Sequence, residues 1–379
     1  MTDSPSPRQR GTLGFQDFAA MRRLALALLV VILLACGGWT GYWFHGAGQL
    51  REGVLAWAEA RRTAGDAVAL GEVSVTGFPL RFDLALAAPT VGTRKDGEPL
   101  IWQGPPTTVT FRPWSFDRFT FEADGRHRIA HAEPDLPTPI LIEAAGVSGA
   151  GRIAPDGRLA ILGLDFDTVQ LGTDARPDTV RMERAEALIR LPAAAGLADE
   201  RARSEPGDAQ DSAALRVEIS GLDLPDEAEG PLGNKVDLIT LLGGVRGAIP
   251  NDAPDVALAA WRDSGGTIEI YDLKLAWGPL HMSATGTATL DEEMRPLGAL
   301  TAEIRGYTQT LDALVAVGTM ERRTAEVAKF LLGMMAEWPD DTGKPILIMP
   351  LSAQDGIFSV GPISLFRLPP LRWSRPRSE

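Results

Sequence analysis

The chain has 379 residues, 45% of them hydrophobic, a formal net charge of −13 and a single cysteine, Cys36. That apolar content is enough for a full core, in one large or two fused domains. The acidic balance argues against a nucleic-acid surface, which needs clustered Lys and Arg, and one cysteine rules out an intrachain disulfide and a cysteine metal site.

Residues 1–20 are polar, carry two Ser-Pro pairs and are expected to form a disordered cytoplasmic tail. Residues 21–45 hold the organising feature, the uncharged run from Leu24 to Phe44. At about 1.5 Å per helical residue, some twenty residues cover the roughly 30 Å hydrocarbon core of a bilayer. A single transmembrane helix is therefore expected, with the membrane as a partner through residues 24–44. Arg8, Arg10, Arg22 and Arg23 precede the run, and no charge follows before Arg51. Cationic flanks stay inside, which puts the N-terminus in the cytoplasm and the main domain across the membrane. Trp39, Tyr42, Trp43 and Phe44 gather at the outer end, where aromatic rings favour the headgroup layer. No Ala-x-Ala cleavage site follows, so the reading is an uncleaved signal anchor. The alternative is a lipoprotein acylated at Cys36, because Leu33-Leu34-Ala35-Cys36-Gly37 resembles a lipobox. Translation from Met21 instead of Met1 is compatible with either.

Residues 46–192 read as an N-terminal β-rich part. Leu50 to Ala64 has helical spacing, with Gly65 as its stop. Val73 and Val75 then alternate, Gly77-Phe78-Pro79 breaks the chain, and Pro79 opens a returning strand. On that strand Leu80, Phe82, Leu84 and Leu86 share one face, a candidate apolar groove, with Arg81 and Asp83 on the other. Gly41-Tyr42-Trp43-Phe44, Trp57 and Val75-Thr76-Gly77-Phe78-Pro79-Leu80-Arg81-Phe82-Asp83 resemble a family of Gram-negative envelope proteins, domain of unknown function 2125. Trp102-Gln103-Gly104-Pro105-Pro106 and Phe111-Arg112-Pro113 continue the likeness. The most specific mark is Gly77, Phe78, Pro79, Arg81, Phe82 and Asp83. The family usually has Asn where this chain has Leu80, so no polar role carries over to that position. The resemblance implies a β-rich envelope protein and no particular reaction.

Further on, Thr107–Phe111, Phe119–Ala123 and Ile140–Ala144 are strand candidates, and Asp156-Gly157 a hairpin turn. Trp114, Phe116, Phe119 and Phe121 form an aromatic patch, either core or the floor of a groove. Val180–Arg190 fits strand or helix. Residues 193–213, rich in Ala, Asp, Glu, Arg and Ser, read as a mobile linker.

Residues 214–379 read as a C-terminal β-rich part with helices. Leu215–Leu224 is a strand candidate, and Lys235–Leu242 and Asp255–Arg262 are short helix candidates. Alternation returns at Ile268, Ile270, Leu273, Leu275 and Trp277, turns at Gly278-Pro279, and resumes from Met282 to Leu290. Ala299–Ile304 is a strand, Leu311–Val317 and Glu321–Glu337 are helices, and Ile346–Met349, Ile357–Val360 and Ile363–Leu368 are closing strands. Three Gly-Pro turns between apolar strands, near Gly77, Gly278 and Gly361, are either a reused hairpin or related units of one curved sheet. The second reading is similar to AsmA-like envelope proteins, on residues 266–291 and the tail.

Chemistry is sparse. His127 and His131 are four apart, but too few ligands accompany them for a metal, and they read as solvated side chains in a basic turn. Asp165 and Asp167 alternate on a strand and read as surface carboxylates before a cation site. No Gly-x-Ser-x-Gly elbow, P-loop or dinucleotide fingerprint occurs. The sequence thus predicts no catalytic, cofactor or metal residues and a β-rich α+β fold. The fold is a single transmembrane helix followed by a large curved or packed antiparallel sheet domain with a few helices. The expected function is a non-enzymatic periplasmic protein of the bacterial inner membrane, binding lipid or a lipid-linked partner in an apolar groove. The alternatives are a scaffold that binds another envelope protein and, third, an uncharacterised enzyme.

Overall fold

The computed structural model describes residues 15–95, 98–131, 140–173, 176–191, 211–225, 230, 232–250, 254–338, 345–361 and 363–371. Within that range, the helix α1, Phe15–Thr63, runs unbroken for 49 residues. It is the one helix among the described residues long and apolar enough to cross a membrane. The expected tail therefore turns helical from Phe15, and the helix expected at Leu50 is the continuation of the anchor. Nothing between them stops the turn. Gly46 is tolerated because the Phe82 ring docks on it, 3.0 Å from where a Cβ would stand. Gly65, at φ 95, ends the helix where it was expected.

After α1 the described residues form one antiparallel sheet of 21 strands. The first twelve are β1 (Ala67–Ala69), β2 (Val73–Thr76), β3 (Phe82–Leu86), β4 (Thr90–Lys95), β5 (Glu98–Gln103), β6 (Thr107–Arg112), β7 (Ser115–Glu122), β8 (Gly125–His131), β9 (Ile140–Ala145), β10 (Ser148–Ile153), β11 (Leu159–Phe166) and β12 (Thr168–Thr173). They are the two halves of six long strands. One half pairs in the order β2-β3-β6-β7-β10-β11, the other in the order β1-β4-β5-β8-β9-β12. Both halves join the single long strand β13, Arg176–Arg190. The interruptions fall at 70–72, 87–89, 104–106, 123–124, 146–147 and 167, shrinking from three residues to one as they approach β13. They form a crease across the sheet. Pro89, Pro105 and Pro106 have no N–H to offer a ladder, so pairing must lapse there. Gly71 and Gly146 take the positive φ that the break demands. Ala123, Ala144, Val147 and Val169 are buried in the crease with Phe121, Ile142, Phe166, Leu171 and Met182, drawn from both halves.

Beyond β13 the sheet is a plain meander of β14 (Ala213–Asp223), β15 (Lys235–Arg246), β16 (Thr267–Trp277), β17 (Leu280–Leu290), β18 (Pro296–Arg305), β19 (Ile346–Gln354), β20 (Ile357–Val360) and β21 (Ile363–Arg367). Helix α2, Pro254–Asp263, precedes β16, and α3 (Tyr307–Ala316) and α4 (Arg322–Met335) lie between β18 and β19. Val180–Arg190 is thus strand, and Lys235–Leu242 is strand, not the short helix expected. Its apolar positions fit a helical period, but β14 and β16 pair with it on both edges and override local preference. The expected linker lies outside the described residues up to 210. Gly77, Gly278 and Gly361 all take positive φ in the turns between β2 and β3, β16 and β17, and β20 and β21.

Candidate functional site

Side chains on a strand alternate faces, so one face is defined by following paired residues from strand to strand. Starting at Val75, direct pairing leads through Leu84, Val109, Phe121, Gly149 and Leu164 to Ala187. It continues through Val217, Leu241, Leu273, Ala284 and Ala302 to Met349. A second row, two residues along, runs from Phe82 through Phe111, Phe119, Gly151, Leu162 and Ile189 to Leu215. It ends through Gly243, Ile270, Gly286, Leu300 and Leu351 at Val360. Neither row contains a polar side chain. The apparent phase slip between Ile270 and Leu273 is a bulge, which returns both residues to the same face. On the opposite face the corresponding row starts at Ser74 and Ala85 and ends at Ile348, and between them it is polar throughout: Thr108, Glu122, Ser148, Asp165, Glu186, Glu218, Thr240, Lys274, Ser283 and Glu303.

Each apolar row crosses thirteen strands; at about 4.8 Å per strand the lane is roughly 58 Å long. Its ends are covered. At the start, Trp43, Ala47, Leu50, Val54 and Ala58 of α1 pack on Phe82, Leu84, Val73, Val75 and Val109. At the finish, Tyr307 and Leu332 of α3 and α4 pack on Leu347, Met349 and Val360. The middle is not closed: Leu164, Ala187, Val217, Leu241 and Leu273, with Leu162, Ile189, Leu215, Gly243 and Ile270, are all half-buried. Phe119 and Phe121 lie over Gly151 and Gly149, whose missing side chains make room for the rings. The aromatic patch therefore divides: these two line the lane, Phe116 is exposed on one side and stacks on Phe82 at the start of the lane with the other, and Trp114 stands exposed in the β6–β7 turn.

Of the four groove residues expected from sequence, Phe82 and Leu84 are buried under α1, and Leu86 is half-buried on the same face. Leu80 is not part of the set. The returning strand starts at Phe82, because Gly77 to Arg81 form a turn closed by the Arg81 N–H to the Gly77 carbonyl. Pro79 and Leu80 thus lie in the turn, and Leu80 is 63% exposed. The motif residues clamp this hairpin to α1. The Trp43 Nε1–H donates to the Arg81 carbonyl at 3.0 Å, and Phe78 packs edge-on to Trp43 and stacks on Phe44. Arg81 pairs with Asp83 at 2.7 Å, and Asp83 also accepts from the Thr110 hydroxyl at 2.9 Å. Arg51 and Arg62 donate from α1 to the Val73 and Val68 carbonyls, so the helix occupies the outer edge of β1 and β2.

His127 corrects the reading as a solvated residue. It sits on β8 in the creased face, 9% exposed, opposite Ile142. The indole Nε1–H of Trp102 donates to its Nδ1 at 3.3 Å, which leaves Nε2 protonated and donating to the Ala123 carbonyl at 3.1 Å. Burial holds its pKa below the ordinary value, against the opposing effect of the Ala123 bond. The His131 side chain lies outside the described residues. Asp165 and Asp167 are both bridged by Arg184 across the ladder, which accounts for them without a cation. Among the described residues, no three His, Cys, Asp or Glu side chains gather as a metal site.

Sequence reasoning missed most of the lane. Alternation was visible in strands such as Phe82–Leu86 and Thr267–Trp277 but not in Lys235–Arg246, and which residue of one strand stands beside which of the next was not visible. No curated protein and no solved structure matches the chain. A family model does match, over residues 43–369, which includes the whole Gly77–Asp83 motif and both apolar rows. The chain accordingly belongs to the family described as uncharacterized protein conserved in bacteria, DUF2125.

Proposed function

We propose that the protein is held by α1 in the bacterial inner membrane, N-terminus in the cytoplasm and sheet in the periplasm, and that its apolar sheet face binds lipid acyl chains without catalysing a reaction. The observation that carries this reading is the pair of unbroken apolar rows, half-buried through β11 and β13 to β16. A lane of that length left to water is unfavourable, at about 25 cal/mol per Å2 of apolar surface. An acyl chain gains about 0.8 kcal/mol per methylene buried there. The Arg22 and Arg23 flank supports the orientation. The similarity to AsmA-like proteins expected from residues 266–291 is not shown by the family match, and it carries no part of this reading. A photo-crosslinker at Val217 or Leu241, in cells, should capture lipid, and one at the outward Thr240 should not. Capture only of the protein's own chain from both inward sites would overturn the reading. A reporter fused after residue 60 should be active only in the periplasm.

A second reading, an adaptor for another envelope protein, rests on α4. Val327, Phe330, Met334 and, just beyond the helix, Trp338 are largely exposed, while Ala325 and Leu332 face the domain. Phe330→Asp should release a co-purifying protein without altering melting if that stripe is an interface.

A further inference from the structure

Two turns of the sheet meet α1 at one level. The Trp39 Nε1–H donates to the Pro79 carbonyl at 2.9 Å, in the turn between β2 and β3. The Tyr42 hydroxyl donates to the Pro113 carbonyl at 2.6 Å, in the turn between β6 and β7. The Trp39 and Trp114 rings lie 6.4 Å apart, and Phe44 stacks on Phe78 at 5.8 Å. These bonds satisfy the polar ends of the helix aromatics and leave apolar surface outward. Phe44, Phe78, Leu80 and Trp114 stay exposed, at 62%, 48%, 63% and 61%. An exposed apolar cluster of this kind needs a partner.

Its place on the helix identifies one. Counted from Leu24 at about 1.5 Å per residue, Trp39 lies roughly 22 Å along α1 and Phe44 about 30 Å. The hydrocarbon layer is about 30 Å thick, so a turn bonded to Trp39 reaches about 8 Å inside its far boundary and one packed on Phe44 reaches the boundary itself. The cluster adjoins the uncharged run of the anchor, and its first charged neighbours along the chain are the paired Arg81 and Asp83 at the end of one turn and Arg112 just before the other. We propose that the turns Gly77–Arg81 and Pro113–Ser115 insert into the acyl–headgroup boundary of the bilayer that α1 spans. Six aromatic and aliphatic side chains then form one seat, and the sheet is fixed on the membrane surface instead of swinging from a tether. The seat holds whether or not the lane carries lipid, and its test is separate from crosslinking at Val217.

The full-length protein, with Cys36→Ser, would be placed in phosphatidylcholine–phosphatidylglycerol vesicles. Leu80→Cys or Trp114→Cys then carries an environment-sensitive dye, with Val256→Cys on α2, 53% exposed, as the control. The turn labels should emit blue-shifted, be quenched several-fold more by lipids spin-labelled near the headgroup than the control, and resist aqueous iodide. Hydroxyl-radical footprinting of the unlabelled protein in the same vesicles avoids any disturbance by the dye. There Trp114 should oxidise several-fold more slowly than Trp338, which is exposed to a similar degree, 64%. Iodide quenching equal to that at Val256, together with equal oxidation of the two tryptophans, would overturn the seat.

Discussion

Truncating Phe82 tests whether the start of the apolar lane is a closed core. The ring is fully buried, stacked between Trp43 at 5.2 Å and Phe116 at 5.5 Å, paired across the ladder with Phe111 and pressed on Gly46. An aromatic side chain takes about 150–250 Å2 out of water. At about 25 cal/mol per Å2 that amounts to roughly 4–6 kcal/mol. Alanine keeps a small part of this, and the rings around it cannot all collapse inward, so Phe82→Ala should cost about 3–5 kcal/mol. Val217→Ala, in the half-open middle of the same face, removes two methyl groups that already meet solvent and should cost less than about 1.5 kcal/mol. The assay is urea unfolding of the full chain in detergent, followed by tryptophan fluorescence and circular dichroism, with the slope checked for equality between variants. A Phe82→Ala loss below about 1 kcal/mol, or no larger than that of Val217→Ala, would refute the closed start and extend the open lane beneath α1.

Gly77→Val should destabilise by at least about 1–3 kcal/mol, since Gly77 has φ 97 and a Cβ there would stand 2.9 Å from the Arg81 carbonyl oxygen. Unchanged melting with loss of lipid capture would instead make this turn a binding element. His127 should make stability fall in acid. Its folded pKa is depressed by burial, so below the unfolded value of about 6.5 the unfolded chain takes up a proton that the folded one does not. Unfolding midpoints should drop as pH falls from 7 towards the folded pKa and then level off, and His127→Phe should flatten that dependence; an unchanged slope would count against it. Intact-mass measurement should show Cys36 unmodified and the chain uncleaved, whereas a diacylglyceryl group on Cys36 at a new N-terminus would establish the lipoprotein alternative.

Several features of this protein follow from local sequence alone. The uncharged run from Leu24 sets a membrane-length helix, and alternation marks Phe82 and Leu84 as sharing a face before any partner is known. The positive φ at Gly77, Gly278 and Gly361 follows from turn chemistry, which depends on a few neighbouring residues. Helices α2, α3 and α4 were legible within a few residues for the same reason. Where a partner distant in sequence decides the outcome, local reading failed. Lys235–Leu242 becomes strand because two ladders claim its edges, and His127 becomes buried because Trp102 and Ile142 close over it. Leu80 leaves its strand because the turn that docks on Trp39 and Trp43 extends to Arg81. The apolar lane is the clearest instance. Sequence determines the alternation of strands such as Phe82–Leu86 and Thr267–Trp277, but a shift of one residue in any ladder would turn that strand's apolar set to the opposite face. Only the assembled sheet, with its bulge between Ile270 and Leu273, keeps thirteen strands in phase so that their apolar sides form one surface.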